Sequence, residues 1–155
     1  MVTSMSDNGR PIIMLAVLFL AIYVFAIYVP PLFQTIPIVE ISNCTLAANT
    51  ISNNGLTAVT FALKNNDKAN PHAIIVQFSS YSLVYFMLGS QNLPVQNGVY
   101  QFAENLNPSA TTTQQINVRA SLKSGIAKID YSISVVFLVD GKQVESKNLT
   151  LTVQG

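Results

Sequence analysis

The chain has 155 residues and a formal net charge of +1, with half of its residues apolar and only 10% charged. An ordinary soluble domain carries about 25% charged residues, and here neutral Asn, Gln, Ser and Thr take their place. The charge balance excludes a nucleic-acid binder that works by neutralising many phosphates. The single Cys44 excludes an internal disulfide, and the single His72 excludes any site built on two imidazoles.

Residues 1–11 read as a short polar tail that ends its charges at Arg10; the next charge is Glu40. Ile12 to Val29 is an unbroken apolar run, IIMLAVLFLAIYVFAIYV, with no polar face. Its 18 residues at about 1.5 Å each would span about 27 Å, close to the hydrocarbon thickness of a bilayer. The run is longer than a cleaved signal peptide needs, and the following PPLFQTIPI offers no small-x-small cleavage site. It therefore reads as an uncleaved transmembrane helix stopped by Pro30-Pro31, with residues 30–35 as a linker. Arg10 lies just before the helix, and the first positive charge after it is Lys64. Basic residues mark the cytoplasmic side, so the N-terminus is expected inside and residues 36–155 outside.

From residue 36 onward the pattern changes to period two, the mark of half-buried strands. Val59, Phe61 and Leu63 alternate with more polar neighbours, as do Ile74, Val76 and Phe78, and then Ile116, Val118, Ala120 and Leu122. The longest such row runs Ile129, Tyr131, Ile133, Val135, Phe137 and Val139, and Leu149, Leu151 and Val153 end the chain. Tyr81, Leu83, Tyr85 and Met87 share the same spacing and are expected to face the core, with an exposed contact surface as the alternative. Asn53-Asn54-Gly55, Asn97-Gly98 and Asp140-Gly141 carry the residues that tolerate positive φ in tight turns; Asp140-Gly141 is the clearest hairpin. Seven or eight strands of this kind predict an all-β, antiparallel sandwich of immunoglobulin or fibronectin type. With one Cys and no Trp, it lacks the core signature of antibody domains.

The stretch LTAVTFALKNNDKANPHAIIVQFSSYSLVYFMLG, followed by ENLNPSATTTQQINVRASL, resembles the group-2 late-embryogenesis-abundant (WHy) domain. Asn65-Asn66-Asp67 stands where those domains carry Asn-Pro-Asn, without the proline. The layout as a whole also resembles archaeal envelope proteins with an N-terminal helix and a sandwich, such as archaellum stator subunits. Both resemblances imply a membrane-anchored scaffold or binding module without catalysis. An exterior clothed in amides and hydroxyls would suit an acidic medium, since these groups do not titrate. A pilin-like filament subunit is a further alternative, although Gly9-Arg10 reverses the order of a pilin processing site.

Few residues offer chemistry. His72 follows Asn70-Pro71 and reads as an exposed or capping imidazole, since a copper site of blue-copper type needs a second His. Cys44 reads as a passive, partly buried thiol. Asn65, Asn66, Asp67 and Asn70 bring oxygens together but only one carboxylate, so they read as a turn and not a calcium loop. No nucleophile elbow or phosphate-binding glycine loop occurs. Catalytic, metal and cofactor sites are accordingly not expected. Two sequons, Asn43-Cys44-Thr45 and Asn148-Leu149-Thr150, mark Asn43 and Asn148 as possible glycosylation sites on an exported domain. Val136 and Leu138 make the longest strand apolar on both faces, so that strand is either central in the sandwich or covered by a partner, and the two residues are the candidate partner contact. The function read from these features is protein–protein contact or scaffolding at the outer membrane surface. The partners would be the bilayer and other membrane or envelope proteins, with no nucleic acid or small-molecule substrate. An accessory subunit of a membrane enzyme complex, respiratory for example, is the alternative.

Overall fold

The structure, a computed structural model, describes residues 17–20, 23 and 36–155. The chain divides into two compact units, Met1–Ile36 and Pro37–Gly155. In the first, Val17 to Leu20 and Tyr23 are helical and their side chains exposed. Among the described residues no helix is long and apolar enough to cross a membrane. The polar tail, most of the expected transmembrane run and the 30–35 linker lie outside the described residues.

The second unit is all β. Its strands are β1 (Val39–Leu46), β2 (Thr50–Ser52), β3 (Leu56–Asn65), β4 (His72–Ser79), β5 (Val84–Leu88) and β6 (Gln91–Asn92). They continue with β7 (Val95–Gln96), β8 (Val99–Leu106), β9 (Thr111–Ala120), β10 (Lys128–Val139) and β11 (Lys142–Gln154). One sheet has the order β1-β3-β9-β5-β6 and the other β2-β11-β10-β4-β8-β7. Every pairing is antiparallel except that of β2 with β11, which is parallel.

The core lies between the two sheets, and period-two patterning supplies it. Val59, Phe61 and Leu63 of β3 and Ile116 and Val118 of β9 point inward from the first sheet. Ile74, Val76 and Phe78 of β4, Ile133, Val135 and Phe137 of β10, and Leu151 and Val153 of β11 meet them from the second. Asn54, Asn97 and Asp140 take positive φ in the three predicted turns. Asp140-Gly141 joins β10 directly to β11, as the sequence indicated.

The stripe Tyr81–Leu83–Tyr85–Met87 is a correction. Tyr81 and Leu83 precede the strand, and within β5 it is Val84 and Phe86 that are buried. Tyr85 (38% exposed) and Met87 lie on the outward side, and Tyr81 is 66% exposed. Two period-two rows interleave here, and packing against β9, where Phe86 registers with Val118, selected the other one.

Two of the sheet edges, β1 and β8, carry features that discourage a further strand. Between the pairs Ser42–Ala62 and Thr45–Thr60, Asn43 and Cys44 of β1 face the single Phe61 of β3, a bulge with Asn43 at φ 56°. The bulge shifts the alternation by one, so that Val39 and Ile41 before it, and Cys44 and Leu46 after it, all turn to the core. On β8, Glu104 occupies the inward row between Phe102 and Leu106, and its Oε2 accepts a 2.9 Å bond from Gln114 Nε2 on the opposite sheet. A charge aimed inward on an edge strand, bulges and very short outer strands such as β2, β6 and β7 all oppose edge-to-edge pairing.

Tyr131, near the start of β10, is buried, and its hydroxyl donates a 2.7 Å bond to the carbonyl of Ser121 in the β9–β10 connection. This bond ties the crossover between the sheets to the core. Tyr131→Phe keeps the ring and leaves that carbonyl short of a partner, so it is expected to lower unfolding stability by about 1 kcal/mol. Urea unfolding of the two forms measures the difference; an unchanged midpoint would show that the bond contributes nothing.

Candidate functional site

Three places on the sandwich gather chemistry or exposed apolar surface: the loop end that holds His72, the opposite end, and the outer face of the six-stranded sheet.

The His72 end is organised by Asn65, the last residue of β3. Asn65 is almost fully buried, yet its amide nitrogen donates to the carbonyls of Asn70 (2.9 Å), Leu106 (3.2 Å) and Asn107 (3.1 Å). Its Oδ1 accepts from Asp67 N at 2.9 Å. A side chain with two N–H donors and a carbonyl can serve several backbone groups at once, which is why an amide fits this buried position. Next to it, Asn66 donates its backbone N–H to Ile38 O and its side-chain amide to Pro37 O, fastening the segment where the chain enters the sandwich.

His72 is the first residue of β4, and its side chain is only 11% exposed. Of the two expectations for this ring, exposed or capping, the exposed one is corrected: the ring is packed between two carboxylates. Nδ1 lies 2.6 Å from Asp140 Oδ2, and Nε2 lies 3.4 Å from Asp67 Oδ2. The Asp140 bond is the main cause that raises the His72 pKa above its ordinary value, with burial acting against it. Asp67 is held down at about 2, first by the Asn70 side chain and then by the Ala69 and Asn70 backbone amides. Sequence reasoning treated Asp140 as a turn residue only. A signal was present, because a hairpin turn after β10 must lie beside the start of any strand antiparallel to β10.

At the opposite end an open groove of about 600 Å³ is lined by Tyr81, Leu83, Ile129 and Tyr131, with Lys123 and Asp130 among its polar groups. Ile129 and Leu83 are half-buried and packed against the core, so the groove is the place where the space between the sheets opens to solvent. Tyr81 leans on Tyr131 with ring centroids 6.0 Å apart.

On the outer face of the six-stranded sheet, Val136 and Leu138 are half-buried. Leu138 registers with Ile75 of β4 and Gln143 of β11, and Ile75 in turn with Ala103 of β8. Val136 registers with Gln77 and Ser146. Leu138, Ile75 and Val136 therefore form a small apolar patch framed by amides and a hydroxyl, with β10 flanked on both sides. The exposed Val144 sits beside it at a second bulge, where two steps on β11 face one on β10.

The sequons lie apart. Asn43 is the exposed, positive-φ residue of the β1 bulge. Asn148 is exposed in β11 and registers with Ser134, on the same outer face as Val136 and one pair of residues away. Cys44 is half-buried, and desolvation, followed by Glu145, pushes its thiol up to about 11. Its charged neighbours are Glu145 and Lys147, whereas those of His72 are Asp67 and Asp140. The two residues do not form a pair. Among the described residues no group of three His, Cys, Asp or Glu side chains is arranged to hold a metal ion.

No protein-family model matches the chain. No curated protein matches it either. Solved structures of similar shape include Pseudomonas fluorescens alkylpurine DNA glycosylase AlkC bound to DNA containing an abasic-site analogue. That match has 15% identity and a TM-score of 0.47, covering 76% of this chain and 31% of the glycosylase. The periplasmic chaperone SfaE is similar at 8% identity and a TM-score of 0.40, over 75% of this chain and 56% of its own. A PapD-like (ASH) domain of human CEP192 is similar at 14% identity and a TM-score of 0.37, over 79% and 90%. The chain thus spans about a third of the glycosylase and just over half of the chaperone.

The thiolate is the reactive form of cysteine, so a thiol held near 11 is largely unreactive at neutral pH. Alkylation of Cys44 by iodoacetamide at pH 8 is expected to be at least about tenfold slower in the folded protein than in urea, where the pKa returns to about 8.5. Mass spectrometry of timed samples checks this; equal rates would contradict the burial of Cys44.

Proposed function

We propose that this protein is a non-catalytic, single-pass membrane protein whose sandwich makes protein–protein contacts on the extracytoplasmic side. The observation that carries the reading is the Leu138–Ile75–Val136 patch on the outer face of a central strand. The Asn43 bulge and the inward Glu104 blunt the β1 and β8 edges, which favours the sheet faces as contact surfaces. The patch offers apolar area with neutral amides around it, which is the composition of a contact surface core and its rim. The charge-free run at residues 12–29 supplies the anchor and Arg10 the orientation. Both family resemblances drawn from the sequence agree with a membrane-anchored scaffold.

The fold is, in this reading, a variant of the immunoglobulin or fibronectin sandwich. The neighbours β1-β3-β9-β5 and β11-β10-β4-β8 follow the strand adjacency of such domains, and the Tyr131–Ser121 bond has the form of their tyrosine corner. One difference is that β5, on the first sheet, precedes β8, on the second, where a variable-type immunoglobulin domain visits them in the reverse order. A non-catalytic role is supported by a His72 locked between carboxylates and by a Cys44 that burial keeps protonated.

Asn148 and the patch share one face, about two residues apart, so an attached glycan would cover the contact surface. Docking through Val136 and Leu138 therefore goes with an unmodified Asn148. The test is site-specific photo-crosslinking in native membranes, with the crosslinker at position 138 and, as a control, at Arg119 on the other sheet. A discrete adduct from position 138 alone, lost on Val136→Glu, is the expected result. Equal labelling from both positions, or a glycan mass on Asn148, would refute this surface. An adduct with a cofactor-bearing redox subunit would assign the protein to the accessory-subunit role.

A further inference from the structure

The His72 ring has a carboxylate on each side, and neither can turn away. Asp140 Oδ1 accepts from Ala73 N at 3.0 Å. Asp67 Oδ1 accepts from Ala69 N at 2.8 Å and Asn70 N at 3.2 Å, and its Oδ2 from Asn70 Nδ2 at 3.0 Å. His72 Nε2 faces that Oδ2 at 3.4 Å, an ion-pair distance, is buried, and makes no hydrogen bond among the described residues. A neutral imidazole carries one N–H and one lone pair. With the N–H on Nδ1 toward Asp140, the lone pair of the buried Nε2 would face a fixed carboxylate, which is unfavourable. Only the imidazolium presents an N–H to Asp140 and a positive charge to Asp67 at the same time.

The three residues belong to separate segments: Asp67 to the β3–β4 loop, His72 to the start of β4, and Asp140 to the β10–β11 turn. The residue before Asp67 is Asn66, which holds Pro37 and Ile38. We propose that His72 is a proton-operated clamp: its protonated ring locks the 66–71 loop, and through Asn66 the chain-entering segment 37–38, onto β4 and the β10–β11 turn, and loss of the proton frees the loop. Lys142 acts on Asp140 from β11, and Lys68 follows Asp67 in the loop.

The direction of the pH dependence follows. His72 is shifted up, so its stabilisation is fully present below the unfolded value of about 6.5 and is lost as pH rises through the higher folded value. Asp67 and Asp140 are shifted down, so their stabilisation is present above about 3.9 and is lost as pH falls below it. The clamp is closed between about pH 4 and 6.5 and opens on the alkaline side. A domain built this way is firmest in a mildly acidic medium.

The experiment uses the purified full-length chain in detergent. NMR titration of the His72 ring is expected to give a midpoint above about 6.5, lowered by Asp140→Asn. Over the same interval the protection of the Ala69 and Asn70 amides, corrected for intrinsic exchange, should fall about tenfold while that of Phe61 and Val135 holds. Thermal unfolding should drop by about 5 °C from pH 6 to pH 9, and His72→Gln should flatten that slope. A ring midpoint at or below about 6.5 would overturn the clamp, as would a slope that His72→Gln retains. If the variant does not fold, the wild-type ring titration and the Ala69 and Asn70 exchange decide the matter by themselves.

Discussion

Everything in the sandwich depends on one layer of side chains, centred on Phe61. From the five-stranded sheet its ring reaches three phenylalanines of the other sheet, Phe78, Phe102 and Phe137, with centroids 5.4 to 6.3 Å away. Phe86 extends the cluster through Phe78 and Tyr100, each at 5.1 Å. Aromatic pairs at such distances gain beyond the area they bury. They also fix the phase of every strand, because a slip of one residue would carry a whole row from core to solvent. The outward rows are then free to be almost anything soluble, and here they are amides and hydroxyls in place of charges.

Because the core sets the phase, the irregular positions stand out as solutions to particular problems. The Asn43 bulge lets both halves of β1 face the core. Glu104 closes the gap beside β9 while making the β8 edge unwelcoming to another strand. Asn65 serves four backbone groups where loops converge over the end of the core. His72 draws together two loops that approach from different parts of the chain. These polar contacts use neutral groups or paired charges, so a domain with few charges still satisfies its buried backbone.

Much of this was legible from residue patterns. Period-two rows in β3, β4, β9, β10 and β11 predicted the inward faces correctly, and the three positive-φ turns fell where Asn, Asp and Gly indicated. Besides the very short β2, β6 and β7, the two long strands that no period-two row marks are β1 and β8, for identifiable reasons. The bulge at Asn43 breaks the alternation of β1, and in β8 the inward row is interrupted by Glu104. The Tyr81–Met87 row was assigned to the wrong face because Val84 and Phe86 offer an equally good row one residue out of phase. Between two such rows the choice rests on what lies across the strand.

By itself the sequence determined the strand-rich class, the separation of an apolar N-terminal run from a charge-poor domain, and the thin inventory of reactive side chains. Those are local properties of composition and spacing. Only the tertiary structure decided that His72 sits between Asp67 and Asp140, that Asn65 is a buried hub, and that Asn148 shares a face with Val136. Each of these joins residues that are close only after strands distant along the chain have paired, and no spacing within a single strand encodes which distant carboxylate or carbonyl will be its neighbour.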